Sequence, residues 1–247
     1  MSRVAVVTGG GSGIGRASCL HLAASGHAVA VLDLDAGAAE AVAEEVRALG
    51  VPGLGVAVDV SDRDAVFAGF DKVRSELGPI AVLVTSAGLS TFEEFLTISP
   101  ESWQRSIDVN LTGTFTCCQA ALPDMVEAQW GRIITIASSS AQRGSPRMAH
   151  YAASKGGVMS LTKSLAREFG KQGITANTIP PSNIETPMLK RDQANGHVPD
   201  AEVLVRTVPV GHLGSPDDIA ATVAFLASDS AGFITGQVFG VNGGGVI

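Results

Sequence analysis

The segment HYAASKGG, residues 150–157, contains the only tyrosine of the chain, Tyr151, followed four residues later by Lys155. A single tyrosine is commonly an aromatic side chain whose hydroxyl reaches water, and it then has no chemical role. If this segment is helical, however, positions i and i+4 share one face, and Lys155 stands beside the phenol. A nearby ammonium favours the phenolate. The pair therefore indicates a group that transfers protons, with Tyr151 as acid and base.

The pKa that such a base needs sets a requirement on its surroundings. An unperturbed phenol has a pKa of about 10, which is about three units too high for a base at neutral pH. Lowering it that far takes roughly 4 kcal/mol of preferential stabilisation of the phenolate. One ammonium at ~4 Å supplies about 1 to 4 kcal/mol, depending on the local dielectric. We expect Lys155 to lower the pKa of Tyr151, with a second positive charge supplying the rest.

A serine precedes this pair at a suggestive spacing. Ser138 lies at the end of the apolar run RIITIASSS and stands 13 residues before Tyr151. Serine runs usually form turns, but a hydroxyl here could hydrogen-bond a developing alkoxide while Tyr151 moves the proton. No GxSxG elbow surrounds Ser138 and no HExxH pattern occurs, so neither a hydrolase triad nor a metal site is expected.

A glycine-rich turn lies near the start of the chain. TGGGSGIG, residues 8–15, follows an apolar run and precedes a helical pattern. Gly9, Gly13 and Gly15 would permit a tight turn, close approach of the backbone to a pyrophosphate and close helix packing. The first N–H groups of the helix add a site for phosphates. In this context of strand and helix, the turn predicts a dinucleotide site.

The acidic residues at the ends of the next two apolar runs indicate which dinucleotide is bound. Asp33 ends the second run, where a dinucleotide site needs a carboxylate for the ribose hydroxyls. Such a carboxylate repels the extra phosphate of NADP, and Ser12 stands where a basic residue would favour it, so we predict NAD(H). The alternative for Asp33 is a turn or helix-cap acid, with Asp35 as its rival. Asp59 and Val60 are expected to contact the adenine.

The elements that position these groups follow from the hydrophobic pattern. The sequence predicts strands at 3–8, 28–33, 53–60, 80–85, 132–138, 174–179 and 237–241, and helices near 13–25, 36–49, 62–77, 99–128, 151–171 and 215–228. Such alternation is typical of a doubly wound α/β fold. We expect a single Rossmann domain over residues 1–247, with a seven-stranded parallel sheet flanked by helices on both faces. The Pro-rich, polar stretch at about 180–214 is interpreted as a substrate lid.

Composition argues against several other classes of protein. The net charge is −7 without a basic block, so no nucleic-acid partner is expected. No apolar run reaches 18 residues and the N-terminal segment lacks the pattern of a signal peptide, so no membrane association is expected. Cys19, Cys117 and Cys118 show no metal spacing and suggest reduced thiols in the cytoplasm.

Taken together, the motifs resemble those of the short-chain dehydrogenase/reductase family over essentially the whole chain. They are TGGGSGIG, Asp59-Val60, TSAG at 85–88, DVNLTGTF, IASS, YAASK and ITGQVFGVNGG. The resemblance implies a catalytic tetrad of Asn110, Ser138, Tyr151 and Lys155. Asn110 would anchor a water leading protons to Lys155, its alternative being a buried amide with local bonds. Lys155 would hold the nicotinamide ribose, and the oxidised nicotinamide would be the second positive charge.

The resemblance also implies the residues that meet each ligand. The dinucleotide contacts are Gly9, Ser12, Gly13, Ile14, Gly15, Asp33, Asp59, Val60, Ala87, Gly88, Tyr151, Lys155, Pro181, Ile184 and Thr186. The predicted substrate pocket comprises Ser138, Ser140, Gln142, Met148, Tyr151, Ser182, Asn183 and Met188, although ordinary packing explains several of these equally well. Two positions depart from the family pattern, Ser86 in place of an asparagine and Ser182 in place of a glycine.

The function expected from these features is NAD(H)-dependent interconversion of a secondary alcohol and a ketone, on a small-molecule substrate. The first alternative is a 3-oxoacyl-thioester reductase acting on acyl carrier protein or CoA. Against the carrier protein we set the acidic to neutral segment VEAQWG, residues 126–131. The second alternative is a non-catalytic dinucleotide-binding sensor or scaffold. The helices near 99–128 and 151–171 are apolar on more than one face, which fits either a homotetramer or burial within one chain.

Overall fold

The computed structural model describes residues 2–247, and within them six parallel strands form one sheet in the order β3-β2-β1-β4-β5-β6. The strands are β1 Val4–Thr8, β2 Ala28–Asp33, β3 Gly53–Ala57, β4 Ile80–Thr85, β5 Gly131–Ile136 and β6 Ile174–Ile179. Most of these strands are almost continuously apolar because helices cover both faces of the sheet.

Ten α-helices are present in this part of the chain. They are α1 Gly13–Ala24, α2 Ala36–Ala48, α3 Arg63–Leu77, α4 Pro100–Ile107, α5 Gly113–Ala128, α6 Ser140–Arg143, α7 Ala149–Phe169, α8 Pro187–Ala194, α9 Ala201–Val205 and α10 Pro216–Ala227. The helices α1, α2 and α10 pack on one face of the sheet, and α3, α5 and α7 pack on the other. The architecture is therefore the doubly wound α/β fold that the sequence predicts.

The strand order creates a crevice at the carboxyl edge of the sheet. From β1 the chain moves outward to β2 and β3, then returns past β1 to β4. The connections after β1 and β4 therefore run in opposite directions, and doubly wound sheets bind their ligands at this switch point. The glycine turn follows β1, and the TSAG motif begins at the last residue of β4.

The expectation of a seventh strand at 237–241 is wrong. Only Val238 forms a bridge to β6, opposite Thr178. Two neighbouring backbone N–H groups that a ladder would use donate to side chains instead. The Ala176 N–H donates to Thr235 Oγ1, and the Gln237 N–H donates to Asn177 Oδ1. The segment therefore runs beside β6 without completing a ladder.

The predicted helix at 99–128 is interrupted at a residue of the predicted tetrad. Asp108–Thr112 form a π-helical turn between α4 and α5, with Asn110 at its centre. Such turns are rare and occur frequently at functional sites, because the inserted residue changes the direction of its neighbours. The period of the apolar residues carries no sign of this insertion.

The segment 180–214 contains α8 and α9 and covers part of the carboxyl edge. Leu204, Val208 and Leu213 form a small apolar cluster of their own, separate from the two main cores. Its two ends are tied together by a bridge between Ile184 and Gly214. No helix within residues 2–247 is long and apolar enough to span a membrane.

Candidate active site

A cavity of about 1480 Å³ opens at the carboxyl edge of the sheet. It exceeds the roughly 300–1,000 Å³ of a typical small-molecule pocket, so it has room for an extended ligand and a second one beside it. All the site residues predicted from the sequence line it except Gly15, Asn110 and Gln142. Gly15 and Asn110 lie directly behind its wall, as described below.

The glycine turn forms one end of the cavity. Gly9 and Gly13 have φ angles of 63° and 50°, which favour glycine. A Cβ on Gly9 would lie 2.7 Å from Ala87 Cα, and one on Gly15 would lie 2.0 Å from the Gly9 carbonyl oxygen. The backbone therefore packs closely behind the turn and leaves the first N–H groups of α1 facing the cavity. This cradle fits a pyrophosphate.

The two aspartates after β2 have different positions. Asp33 lines the cavity, where its Oδ2 accepts the Gly11 N–H at 2.9 Å and its Oδ1 accepts the Asp35 N–H at 3.1 Å. Asp35 caps α2 by accepting the N–H groups of Gly37 and Ala38. Of the two rivals, the helix-cap acid is therefore Asp35, and Asp33 is the carboxylate at the dinucleotide end.

The predicted adenine contacts lie beyond the end of β3. The strand ends at Ala57 rather than at residue 60, and Asp59 and Val60 line the cavity from the loop that follows. One oxygen of Asp59 is held by Ser61, which donates both its N–H, at 2.9 Å, and its hydroxyl, at 2.6 Å. The other oxygen remains available to a ligand.

Ser138, Tyr151 and Lys155 meet at the centre of the cavity. Ser138 follows β5, and its Oγ accepts the Ser140 N–H at 3.1 Å. Tyr151 and Lys155 project from the first turns of α7, and all three residues line the cavity. Lys155 is 4% exposed and its Nζ donates to the Ile136 carbonyl oxygen at 2.9 Å. The ammonium is thereby held against the end of β5.

Asn110 lies directly behind this group. Its amide accepts the Leu89 N–H at 3.0 Å and donates to the Leu89 carbonyl at 3.2 Å and to Ser154 Oγ at 3.1 Å. A Cβ on Gly88 would lie 2.9 Å from Asn110 Oδ1 and 3.3 Å from Lys155 Nζ. Asn110 thus fixes the loop after β4 through local bonds, which is the alternative interpretation of its role, and stands next to Lys155.

One predicted pocket residue is wrong and several others were not anticipated. Gln142 is exposed on α6 and does not line the cavity, whereas its neighbour Arg143 is exposed at the cavity's edge and does. The cavity also includes Asp192 of α8, a carboxylate that the sequence analysis did not single out. Only its place in the lid segment pointed toward the site.

A histidine and an acid do meet next to Tyr151. His150 is buried, with its Nε2 2.5 Å from Thr91 Oγ1 and 3.6 Å from Glu93 Oε1. A catalytic triad needs the acid on the ring nitrogen that faces away from the hydroxyl. Here both contact Nε2, and Nδ1 has no partner among the described residues. The cluster holds the loop after β4 against α7 and is not a hydrolase triad.

Comparisons with known proteins agree with this geometry. A family model of short-chain dehydrogenases, described as enoyl-(acyl carrier protein) reductase, matches residues 9–245. The chain belongs to the short-chain dehydrogenase/reductase family. It is an oxidoreductase with a dinucleotide site, as the resemblance of its motifs implies.

Two similar members of the family have names that describe the reduction of thioesters. The chain is 41% identical over 245 residues to the 3-oxoacyl-[acyl-carrier-protein] reductase FabG of Staphylococcus aureus, covering 99% of this chain and 98% of that protein. It is 40% identical over 250 residues to the acetoacetyl-CoA reductase of Shinella zoogloeoides, with the same coverage.

A solved structure shares the fold. The protein described as ribose-5-phosphate isomerase from Brucella melitensis 16M superposes with a TM-score of 0.93 at 37% identity, covering 100% of this chain and 93% of that one. Because one fold supports many activities, the chemistry has to be argued from the site.

The electrostatics of the short-chain dehydrogenase site differ from the expectation for Tyr151. Burial raises the pKa of the phenol, the Ser138 hydroxyl lowers it, and the charge of Asp192 raises it, with a net increase. In the protein without dinucleotide the net shift is therefore opposite to the one that a base at neutral pH needs. Burial lowers the pKa of Lys155 itself to about 8. The ammonium that would stabilise the phenolate is itself costly to keep charged.

We predict that Lys155→Met stabilises the enzyme without dinucleotide. Ionising Lys155 costs about 3 kcal/mol more in the fold than in the unfolded chain, since its pKa falls from 10.5 to about 8. Between these values the unfolded chain binds more protons, so the cost is complete below pH 8 and disappears toward pH 10.5. At pH 7 the Tm of the variant should exceed that of the wild type by about 6 °C.

The measurement is calorimetric Tm from pH 7 to 10, in which the advantage of the variant should shrink as the pH rises. Lys163→Met is the matched control, because Lys163 lies exposed on the same helix. Its difference from the wild type should not change over this range. A variant at Lys155 that is less stable at pH 7 would contradict the argument.

Proposed function

We propose that this enzyme interconverts the 3-oxo and 3-hydroxy groups of an acyl thioester, with NAD(H) as its cofactor. The observation that carries the proposal is the convergence of Ser138, Tyr151 and Lys155 in the cavity that begins at the glycine turn. The names of the thioester-reducing relatives support the substrate class. A 3-hydroxyacyl thioester is itself a secondary alcohol, so this proposal narrows the broader expectation.

Each residue has a defined task in this reaction. When bound, the reduced nicotinamide supplies a hydride to the carbonyl carbon. Ser138 donates a hydrogen bond to the carbonyl oxygen as negative charge develops there, and Tyr151 gives that oxygen its proton. Lys155 holds the nicotinamide ribose. In the direction of oxidation Tyr151 takes the proton back, and residues 180–214 act as the lid that excludes water.

The carrier of the thioester is expected to be anionic. Arg143 and Arg147 line the cavity and are exposed, which places guanidinium groups at its mouth where phosphates would lie. The segment VEAQWG precedes β5, whereas Ser138 follows it. Within one chain that segment is at the opposite edge of the sheet, so its charge is no argument against a carrier at this mouth.

The proposal is tested by dinucleotide absorbance during turnover of acetoacetyl-CoA, ethyl acetoacetate, crotonyl-CoA and cyclohexanone. Tyr151→Phe should lower kcat for acetoacetyl-CoA by about 10²- to 10⁴-fold, the usual contribution of a general acid. Ser139→Ala, next to Ser138 in the cavity wall, is the matched control and should retain activity. Near-normal turnover by Tyr151→Phe would contradict the mechanism.

The substrate panel separates the alternatives. Turnover of cyclohexanone alone would refute the thioester as the substrate class, while leaving the reduction of a ketone by Tyr151 unaffected. Turnover of crotonyl-CoA alone would replace ketone reduction with reduction of a carbon–carbon double bond, as in the description of the matching family. Tight dinucleotide binding without turnover of any compound would favour the non-catalytic sensor.

We propose NAD(H) rather than NADP(H) because the Asp33 carboxylate occupies the dinucleotide end of the cavity. In Asp33→Asn the amide oxygen can still accept the Gly11 N–H, but the charge that repels a 2′-phosphate is gone. The ratio of kcat/KM for NADPH to that for NADH should therefore rise roughly tenfold. The control is Asp35→Asn, at the cap of α2, which should leave the ratio unchanged. A wild-type preference for NADPH would refute this assignment.

We also propose a homotetramer assembled through α4, α5 and α7. Phe115 on α5 and Trp103 on α4 are each 41% exposed, so both helices present apolar surface that a partner chain would bury. Sedimentation equilibrium should give the mass of four chains of 25.2 kDa. Phe115→Asp should reduce it, whereas Leu49→Asp, on exposed surface at the end of α2, should not. A monomeric wild type would refute the assembly.

A further inference from the structure

Asp192 is a buried carboxylate on α8, in the lid segment. Its side chain is 9% exposed and lines the same cavity as Tyr151. Its Oδ2 accepts the Ser90 hydroxyl at 2.7 Å, and its Oδ1 lies 3.2 Å from Arg191 Nη2 and 3.3 Å from Arg191 Nε. These bonds hold α8 against the loop after β4 and fix the direction of the carboxylate.

The two members of the Asp192–Arg191 pair face different environments. The Arg191 side chain is 54% exposed and does not line the cavity, whereas Asp192 does. Water therefore screens the guanidinium more than the carboxylate. The charge of Asp192 reaches the reacting centre, since it raises the pKa of Tyr151. From the reacting centre, the lid presents a negative charge.

The other charges near the substrate lie at different depths. Arg143 and Arg147 are exposed, and Arg147 pairs with Glu94 at 3.3 Å. His197, on the lid, stacks on Phe92 with ring centroids 4.9 Å apart. Lys155 is buried against Ile136. Glu101, Arg105 and Asp108 also line the cavity, so its exposed wall carries charges of both signs, whereas the lid side contributes the buried carboxylate of Asp192.

We propose that Asp192 is a specificity residue that excludes anions from the acyl end of the cavity, so that neutral 3-oxoacyl thioesters and esters react and free 3-oxo acids do not. The choice of 3-oxo compounds rests on the proposed function. A free 3-oxo acid carries its carboxylate two bonds from the ketone carbon, where like charges repel with little screening. A thioester carries no charge there, and its anionic carrier remains outside.

The test compares ethyl acetoacetate with acetoacetate, which differ in charge at this position. Wild-type kcat/KM should favour the ester, and Asp192→Asn should lower that preference roughly tenfold, mainly through a lower KM for acetoacetate. An asparagine oxygen can still accept the Ser90 hydroxyl, so the lid remains attached. Glu202→Gln, on exposed α9 and outside the cavity wall, is the matched control and should behave as wild type.

A second variant tests the same charge in the opposite direction. Arg191→Gln removes the compensating guanidinium from a largely exposed position, so it should fold and should increase the preference for the ester. The pH profile adds a readout that a merely structural role would not change. Asp192→Asn should move the limb assigned to Tyr151 to lower pH, because the charge that raises the pKa of the phenol is gone.

The outcomes separate this proposal from the proposed function. Equal use of ester and acid by the wild type, or an unchanged preference in both variants, would overturn the role of Asp192. If neither compound reacts, the dissociation constants of both compounds for the enzyme loaded with reduced dinucleotide decide. If the wild type binds the ester more tightly than the acid and Asp192→Asn weakens that difference, the exclusion of anions by Asp192 stands and only the proposed reaction is refuted. Equal affinities for the ester and the acid would refute the exclusion of anions by Asp192 as well.

Discussion

The active site is arranged around a lysine ammonium that is buried at the carboxyl edge of a parallel sheet, at a cost to stability. Lys155 donates to the last carbonyl of β5, that of Ile136, and within residues 2–247 it forms no ion pair with a carboxylate, so this hydrogen bond is the contact that holds its charge. The backbone and side chains around Lys155 are closely packed. Gly88 has no room for a side chain between Asn110 and Lys155, and Asn110 requires a π turn to reach Leu89.

These features are costly for stability and are concentrated at the site. A π turn and a desolvated lysine both occur where the chain meets its ligands, whereas the two apolar cores are regular. Such a pattern is expected when a fold is stable enough to tolerate local losses that serve its chemistry. The apolar packing of β1 and β4 in the two cores offsets that cost.

Much of this arrangement could be predicted from the sequence. Continuous apolar runs predicted β1, β2 and β4 within a residue, because parallel strands that are buried on both faces are apolar almost throughout. The seventh strand failed, since Asn177 and Thr235 intercept the backbone groups that a ladder needs, and side-chain competition of this kind has no periodicity. The π turn at Asn110 was missed for the same reason. Spacing placed Tyr151 beside Lys155 on α7, but not the burial that sets their pKa values.

The pKa values of Tyr151 and Lys155 also indicate how the site can respond to its ligands. Burial raises the pKa of Tyr151 and lowers that of Lys155 to about 8, so each group loses its charge more readily than in water, although Lys155 still holds its proton at pH 7. A positive charge brought next to Tyr151 favours its phenolate, whereas a negative charge in the lid opposes it. Asp192 and an oxidised nicotinamide therefore act on the same phenol with opposite signs. The position of α8 should thus govern both which substrate enters and how readily Tyr151 gives up its proton.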